Sequence, residues 1–437
     1  MNRFFGGRAR KLVAAFVTCA AGLLGLPDDT RAATPIEAAH WFKVAPSTNT
    51  HWNIATVPND ELQVSIKPKR LVSSKPLRRI LVLYPRPSSA YDTAITRFLS
   101  VFADKRIDAE LLVVNFKNED ARGRAALAYA EESNYDLVLA MGSESTAWLW
   151  SVYKGGRLPV VSLCSKDPVL LGQMANYTQG SGSNFAFTSL NMPIDAQMSY
   201  VTQLLPNLKN LAILVDANNL SAMQTQALPA KQFARERGIR VFELAVKNSN
   251  NAKAELAQLV RDAVNSMKKN DTELSNSIFW ITGSTTVFAE IATINAHAFR
   301  VPVLSTVTDV VTAGDDTAAV SVGVSFESNA YQSALYAADI LDGQRKAGDL
   351  PVGIVSPPDV AISFKKAREI GLRIPFSLFE GATVIYDNDG KIARSSTARA
   401  ATARAPLASI GSSSGLSATQ DTDNSGSASA DQTSPIQ

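Results

Sequence analysis

Between residues 78 and 364 the chain alternates short, continuously apolar runs with longer amphipathic stretches. The runs at 80–84, 110–115, 137–141 and 160–163 are too short for buried helices and read as strands. The stretches at 91–105, 120–132 and 145–153 carry apolar residues at helical spacing. A second series follows the glycine- and serine-rich segment 179–184, with strands at 211–215, 240–245, 277–281 and 303–305 between helices at 194–205, 222–237, 251–268 and 286–300. Later come strand-like runs at 318–324 and 360–364 around a helix at 328–341. Strands without polar alternation must be covered on both faces, which is the pattern of a parallel sheet crossed by helices. The fold class expected is α/β, with two doubly wound parallel-sheet lobes.

The ends do not follow this pattern. Residues 1–33 place Arg3, Arg8, Arg10 and Lys11 ahead of an apolar stretch, with small residues after it, the form of a cleaved secretory signal. The apolar stretch is shorter than the ~20 residues that span a bilayer. Cys19 is not expected to carry a lipid, because Thr18 precedes it and apolar sequence continues beyond it. Residues 34–77 form an irregular N-terminal extension in which Trp41, Phe42, Trp52 and Ile54 are expected to pack on the body. Residues 395–437 are rich in Ser, Ala, Thr, Gly and Asp and read as a disordered tail.

The formal charge of +3 comes from the signal-like segment, so the remainder is neutral and offers no cationic field for nucleic acid. Two cysteines and three histidines are too few for a disulfide scaffold or a metal cluster, and no cofactor is expected. No nucleophile motif stands in the context it needs. Cys164 and His297 read as a buried thiol and an ordinary helix histidine, so no enzyme is expected.

In open parallel sheets, small ligands bind beyond the carboxyl ends of the strands. The loops there nominate Ser88, Ser89 and Asp92; Ser143, Ser145 and Thr146; Asp167; Asn218 and Asn219; Ser284 and Thr285; Thr308 and Asp309. Hydroxyls, amides and carboxylates at helix starts either hold a polar ligand or cap the helix. Tyr84, Phe187 and Trp280 stand at strand ends and either stack on a ring or belong to the core.

Several phrases occur in a familiar order: Ala90-Tyr91-Asp92, the AMGSESTA loop at 140–147, and Ser165-Lys166-Asp167-Pro168-Val169 followed by Gly172. Leu205-Pro206, Asp342-Gly343, Leu350-Pro351-Val352 and the AREIGLRIP segment at 367–375 continue it. Together they resemble the substrate-binding proteins of ABC importers, in the branch with tryptophan- and tyrosine-associated members. The resemblance implies a type I periplasmic binding fold, two lobes joined by three crossings near 183–188, 305–309 and 324–328. Lobe one would comprise 78–184 plus 306–324, and lobe two 187–304 plus 327–388. It also implies a periplasmic or secreted protein that takes a small-molecule ligand, an amino acid or other small polar solute, for a membrane permease of an ABC importer. A ligand sensor for an envelope receptor, or an envelope assembly protein that keeps the fold, is the alternative. Ile281-Thr282-Gly283-Ser284 and Ser325 stand where the family often has acids, natural partners for a ligand ammonium, and their absence argues against an aromatic amino-acid ligand.

Overall fold

The computed structural model describes residues 36–395. The signal-like segment with Cys19, and the tail beyond its first residue, lie outside the described residues.

Five strands of the first sheet run parallel: Arg78–Tyr84, Ala109–Asn115, Leu137–Met141, Val160–Leu163 and Phe185–Ala186. Ala109–Asn115 lies on one side of Arg78–Tyr84 and Leu137–Met141 on the other, so the winding reverses at the first strand of the unit. The second sheet repeats this order. Asn210–Asp216 lies between Arg240–Val246 and Ser277–Ile281, with Val303–Ser305 and Val320–Gly323 beyond. Alternate residues of the central strands enter opposite cores. Ile80, Val82 and Tyr84 join one cluster while Leu81 and Leu83 join another. Leu211, Ile213 and Val215 likewise part from Ala212 and Leu214. Burial on both faces is the reason these runs lack polar alternation. Tyr84, Phe187 and Trp280 are at most 1% exposed and belong to these cores, not to a ring-binding surface.

The strand pairing divides the lobes differently from the expected boundaries. Val320–Gly323, expected in lobe one, pairs with Val303–Ser305 and, antiparallel, with Asp359–Ser363 in the second sheet. The helix Phe326–Leu341, expected in lobe two, packs on Ser89–Asp104 of the first lobe. Its inward face carries Ala330, Ala334 and Ala337, and small residues let it lie close to the Ala90 and Ala94 side of its neighbour. The chain therefore crosses between lobes in the segments 189–194, 323–326 and 354–359. The stretch 305–309 is a cleft-facing loop of the second lobe and not a crossing. Two other segments depart from the expected pattern. The expected helix at 286–300 divides into Thr285–Phe288 and Ile291–Ala298, and the one at 222–237 opens with a wide turn, Met223–Ala227.

The N-terminal extension is more ordered than its sequence suggests. Trp52–Val57 and Asp60–Pro68 form a hairpin that extends the first sheet antiparallel to Ala109–Asn115. Trp41 and Phe42 are buried, with ring centroids 5.6 and 5.9 Å from Tyr84, which in turn meets Tyr91 edge-on at 5.6 Å. Asp92 is drawn into this contact, since its Oδ1 accepts from Lys43 N at 3.0 Å. Burial raises its pKa to about 6, with the bond and charge of Lys43 working against the rise.

The return helix is fixed by a buried polar network. Asn329 Oδ1 accepts from Cys164 N at 2.8 Å, and Ser333 Oγ donates to Ser162 O at 2.9 Å and meets Thr188 Oγ1 at 3.0 Å. Cys164 has a φ of 57°, a left-handed conformation costly for a side-chain-bearing residue. Asn329 therefore satisfies the amide of a strained residue that begins a cleft loop. Asn329→Ala leaves that amide buried and unpaired, and we expect a loss of about 2 kcal/mol in denaturant unfolding. A change below ~0.5 kcal/mol would contradict this account. A second expectation concerns Asp92. Its folded pKa lies above its unfolded value, so its ionised form costs stability above pH 6 and that cost vanishes as the pH falls towards 4. Asp92→Asn keeps the acceptor for Lys43 and should melt at or above the wild-type temperature at pH 7.5, the difference closing near pH 4; Asp92→Ala should melt lower at both.

Candidate functional site

Both sheets present the carboxyl ends of their parallel strands to the gap between the lobes, and the loops around each winding reversal are the nearest to it. On the first lobe, Arg86 follows Arg78–Tyr84, and Gly142 opens the helix Gly142–Tyr153. Gly142 has a φ of +80°, and a Cβ there would overlap the Tyr91 phenol, so the loop needs glycine on two counts. Arg86 Nε donates to both carboxylate oxygens of Glu144 at 3.2 Å. Burial opposes the Arg86 charge, but Tyr91, Glu144 and Asp216 on the facing lobe outweigh it and raise the pKa. Asp216 ends the strand Asn210–Asp216. Burial pushes its pKa up, and bonds from Thr286, Asn218 and Ser249 more than reverse this, so it stays ionised.

The contact between lobes centres on Lys166, in the loop after Val160–Leu163. Its backbone N donates to Ser143 Oγ at 2.9 Å, which fixes the loop to the first lobe. Its side chain crosses to the second lobe, where Nζ meets Gln226 Oε1 at 3.4 Å. Gln226 Oε1 also accepts from Gly283 N at 2.8 Å, and its Nε2 donates to Thr306 Oγ1 at 3.0 Å. A Cβ at Gly283 would overlap Lys166 Nζ, so the missing side chain of Gly283 leaves the ammonium its space. Lys166 is 6% exposed, and removal from water lowers its pKa to about 8. Gln224 Nε2 adds a second bridge, donating to Leu170 O at 2.6 Å.

A further recess of about 250 Å³ opens between the helix Ser89–Asp104, the loop 308–316 and Phe326. Ser89, Thr93, Asp309, Thr312 and Asp316 line it, with Phe288 and Ile291 from the second lobe. The Asp309 carboxyl opens onto this recess, yet dense protein around it raises its pKa to about 6, with Glu327 and Asp359 adding to the rise. Its one backbone bond besides its own amide is from Phe326 N, at 3.5 Å.

Of the residues nominated from the sequence, Ser89 and Asp309 line this recess, and Ser143 positions Lys166. Thr308 is buried beside Asp309 and donates to its Oδ2 at 3.5 Å. Several of the others are bound into their own lobes. Asp167 Oδ1 accepts from Val169 N and Leu170 N, and its Oδ2 from the Tyr177 hydroxyl at 2.7 Å. Thr146 donates back to Gly142 O, Asn219 caps the turn at Ala222, and Asn218 donates to Lys247 O. Ser284 meets Thr282 Oγ1 at 3.1 Å, Thr285 opens a short helix, and Ser88 precedes one without a side-chain cap. Ser145 is fully buried, and its hydroxyl has no partner. Asp92, as described, serves the N-terminal extension. Sequence reasoning passed over Lys166, Gln226, Arg86 and Gly283. Lysine in a small, polar loop directly after a buried strand was the available signal, since a lysine placed there cannot easily reach water. Cys164 and His297 are not brought together, since the thiol lies against Ala90 O and the imidazole against Arg261.

Solved structures that share this architecture include the following three. A conserved domain protein from Vibrio cholerae O1 biovar eltor superposes with a TM-score of 0.56 at 20% identity, covering 71% of this chain and all of that one. An ABC domain from Streptococcus pneumonia, solved with L-Trp, gives 0.54 at 18%, covering 70% and 100%. A substrate-binding protein with adhesive properties from Clostridium difficile, in its ligand-free, open structure, gives 0.53 at 18%, covering 70% and 98%. These likenesses establish the two-lobed type I periplasmic binding fold. No curated protein matches. Residues 88–385 match the family described as ABC transporter substrate binding protein, a span of more than half of the chain that takes in most of both sheets and all three crossings. The chain belongs to that family.

Proposed function

We propose that the protein captures a small polar solute between its lobes, outside the cytoplasm, and presents the closed form to the membrane permease of an ABC importer. The observation that carries this reading is the meeting of Lys166 with Gln226 and Gly283, because it joins a strand-end loop of the first lobe to a helix start and a strand-end loop of the second in one polar contact. A solute bridging the same loops gains contacts in the closed arrangement that the open one cannot give, which is the requirement for ligand-driven hinge closure. The three crossings are the segments that bend. The signal-like start of the sequence supports export, and no helix among the described residues is long and apolar enough to cross a membrane.

A second reading is a sensor or envelope assembly protein that keeps the fold. It is favoured by the number of cleft-side polar groups, Asp167 and Asn219 among them, that are already bonded within their own lobe. Native mass spectrometry of freshly purified protein lacking residues 1–33 separates the two. Under capture, a small molecule co-purifies, and adding it back at about 100 times its dissociation constant stabilises the fold by about 2.7 kcal/mol in thermal unfolding. If no solute among amino acids, peptides, nucleosides and sugars shifts the melting temperature, and a stable complex with an envelope protein forms instead, the second reading replaces the first.

A further inference from the structure

Resting on the capture reading, we infer that the solute is a net anion, a carboxylate or phosphate compound, and that Lys166 is its charge partner. Lys166 is almost wholly buried, and its Nζ makes a single hydrogen bond, 3.4 Å long, to a neutral amide. A buried ammonium is tolerated where an opposite charge and further acceptors compensate for lost water. None of the cleft carboxylates supplies this. Glu144 is paired with Arg86, Asp216 is held by Ser249 and Asn218, Asp167 is bonded to Tyr177, and Asp309 accepts from Phe326 N.

The second-lobe surface facing the ammonium is suited to an anion. Gly283 contributes a backbone N–H and Gln226 an amide N–H beside the lysine tip, and the Thr306 hydroxyl lies next to them as the partner of the Gln226 amide. The acidic side chains that would favour a ligand ammonium are absent from the 282–284 loop. An oxyanion inserted between the lobes would accept from Nζ on one side and from Gly283 N and Thr306 on the other. Gln226 Oε1, which now occupies the Gly283 amide, would give way by rotation of its side chain. Such a ligand binds both lobes through one group, so its charge is tied to closure itself.

The test measures binding of inorganic phosphate, succinate and glucose by calorimetry, with the protein lacking residues 1–33 as wild type, Lys166→Met and Lys166→Arg, alongside the mass of any co-purified solute. We expect phosphate or succinate to bind the wild type, to bind Lys166→Met about 30-fold more weakly, as for loss of a charge-assisted hydrogen bond, and to bind Lys166→Arg within a few-fold of wild type. Lys166→Met should melt no lower than wild type, since it removes a desolvated charge, so weaker binding would not reflect misfolding. Gly283→Ala gives a second check: its methyl group displaces the flexible lysine tip and should weaken the same anions while leaving the fold intact. Anion binding equal in wild type and Lys166→Met overturns the inference. A co-purified neutral or cationic solute, or glucose binding without anion binding, also overturns it but leaves capture standing. Failure of every probe with no co-purified solute overturns both.

Discussion

A charge removed from water must be compensated where it lands, and the arrangement of this cleft follows from that constraint at Lys166. The lysine stem has enough apolar length to cross from one lobe to the other. Its ammonium then depends on what the second lobe offers. Gly283 supplies room, and Gln226, whose own amide is held by Thr306, supplies the acceptor. A side chain at 283 would take the space, and an acid there would satisfy the charge permanently. The present combination leaves the ammonium accommodated but under-compensated, so an added oxyanion contributes more here than it would to a lysine already paired.

The rest of the fold supports that loop. Lys166 follows a strand whose neighbours are buried on both faces, and Ser143 holds its amide. Cys164, two residues earlier, is kept in a left-handed conformation by Asn329 on the return helix. The return helix is also where the chain has just crossed between lobes. The side chain that anchors a hinge-adjacent helix thus also sets the start of the loop that reaches across the cleft. The N-terminal extension acts from the other side. Trp41 and Phe42 pack on Tyr84, Tyr84 packs on Tyr91, and Tyr91 meets Gly142 at the edge of the Arg86–Glu144 pair. An appendage with no cleft residue of its own therefore braces the first-lobe rim.

The sequence was most legible where period and length decide. Most of the continuous apolar runs became parallel strands with both faces covered, and the phrases around 140–147 and 165–169 fell at the carboxyl ends of strands. The lobe assignment of 320–323 and 326–341 was not legible. A short apolar run shows that a strand exists without showing which sheet's edge it joins, and an alanine-faced helix packs equally well on either lobe. The hairpin 52–68 was hidden because its strands are partly exposed and one runs at the sheet edge, where polar positions interrupt the pattern. Among the nominated residues, Asn219, Thr146 and Asp167 bond to local backbone groups, a use of polar side chains at loop and helix starts that the sequence does not separate from ligand contact. Lys166 was passed over because surface exposure is the ordinary condition of lysine, and its crossing of the cleft is a tertiary fact.

Family membership and ligand chemistry rest on different parts of the molecule. The fold requires apolar strands, a return helix and three crossings, and these tolerate identities of 18 to 20% among the structures that share the architecture. Ligand charge is set by far fewer atoms, because in a low-dielectric gap one unpaired ammonium outweighs several neutral donors. A carboxylate recess around Asp309 lies in the same gap, where burial raises the carboxyl pKa to about 6. The cleft is therefore asymmetric: its acidic end sits against the crossing at Phe326, and its basic end lies where Lys166 meets Gln226 and Gly283. A solute oriented by that asymmetry would place its negative group at Lys166 and its uncharged part towards Phe288 and Phe326.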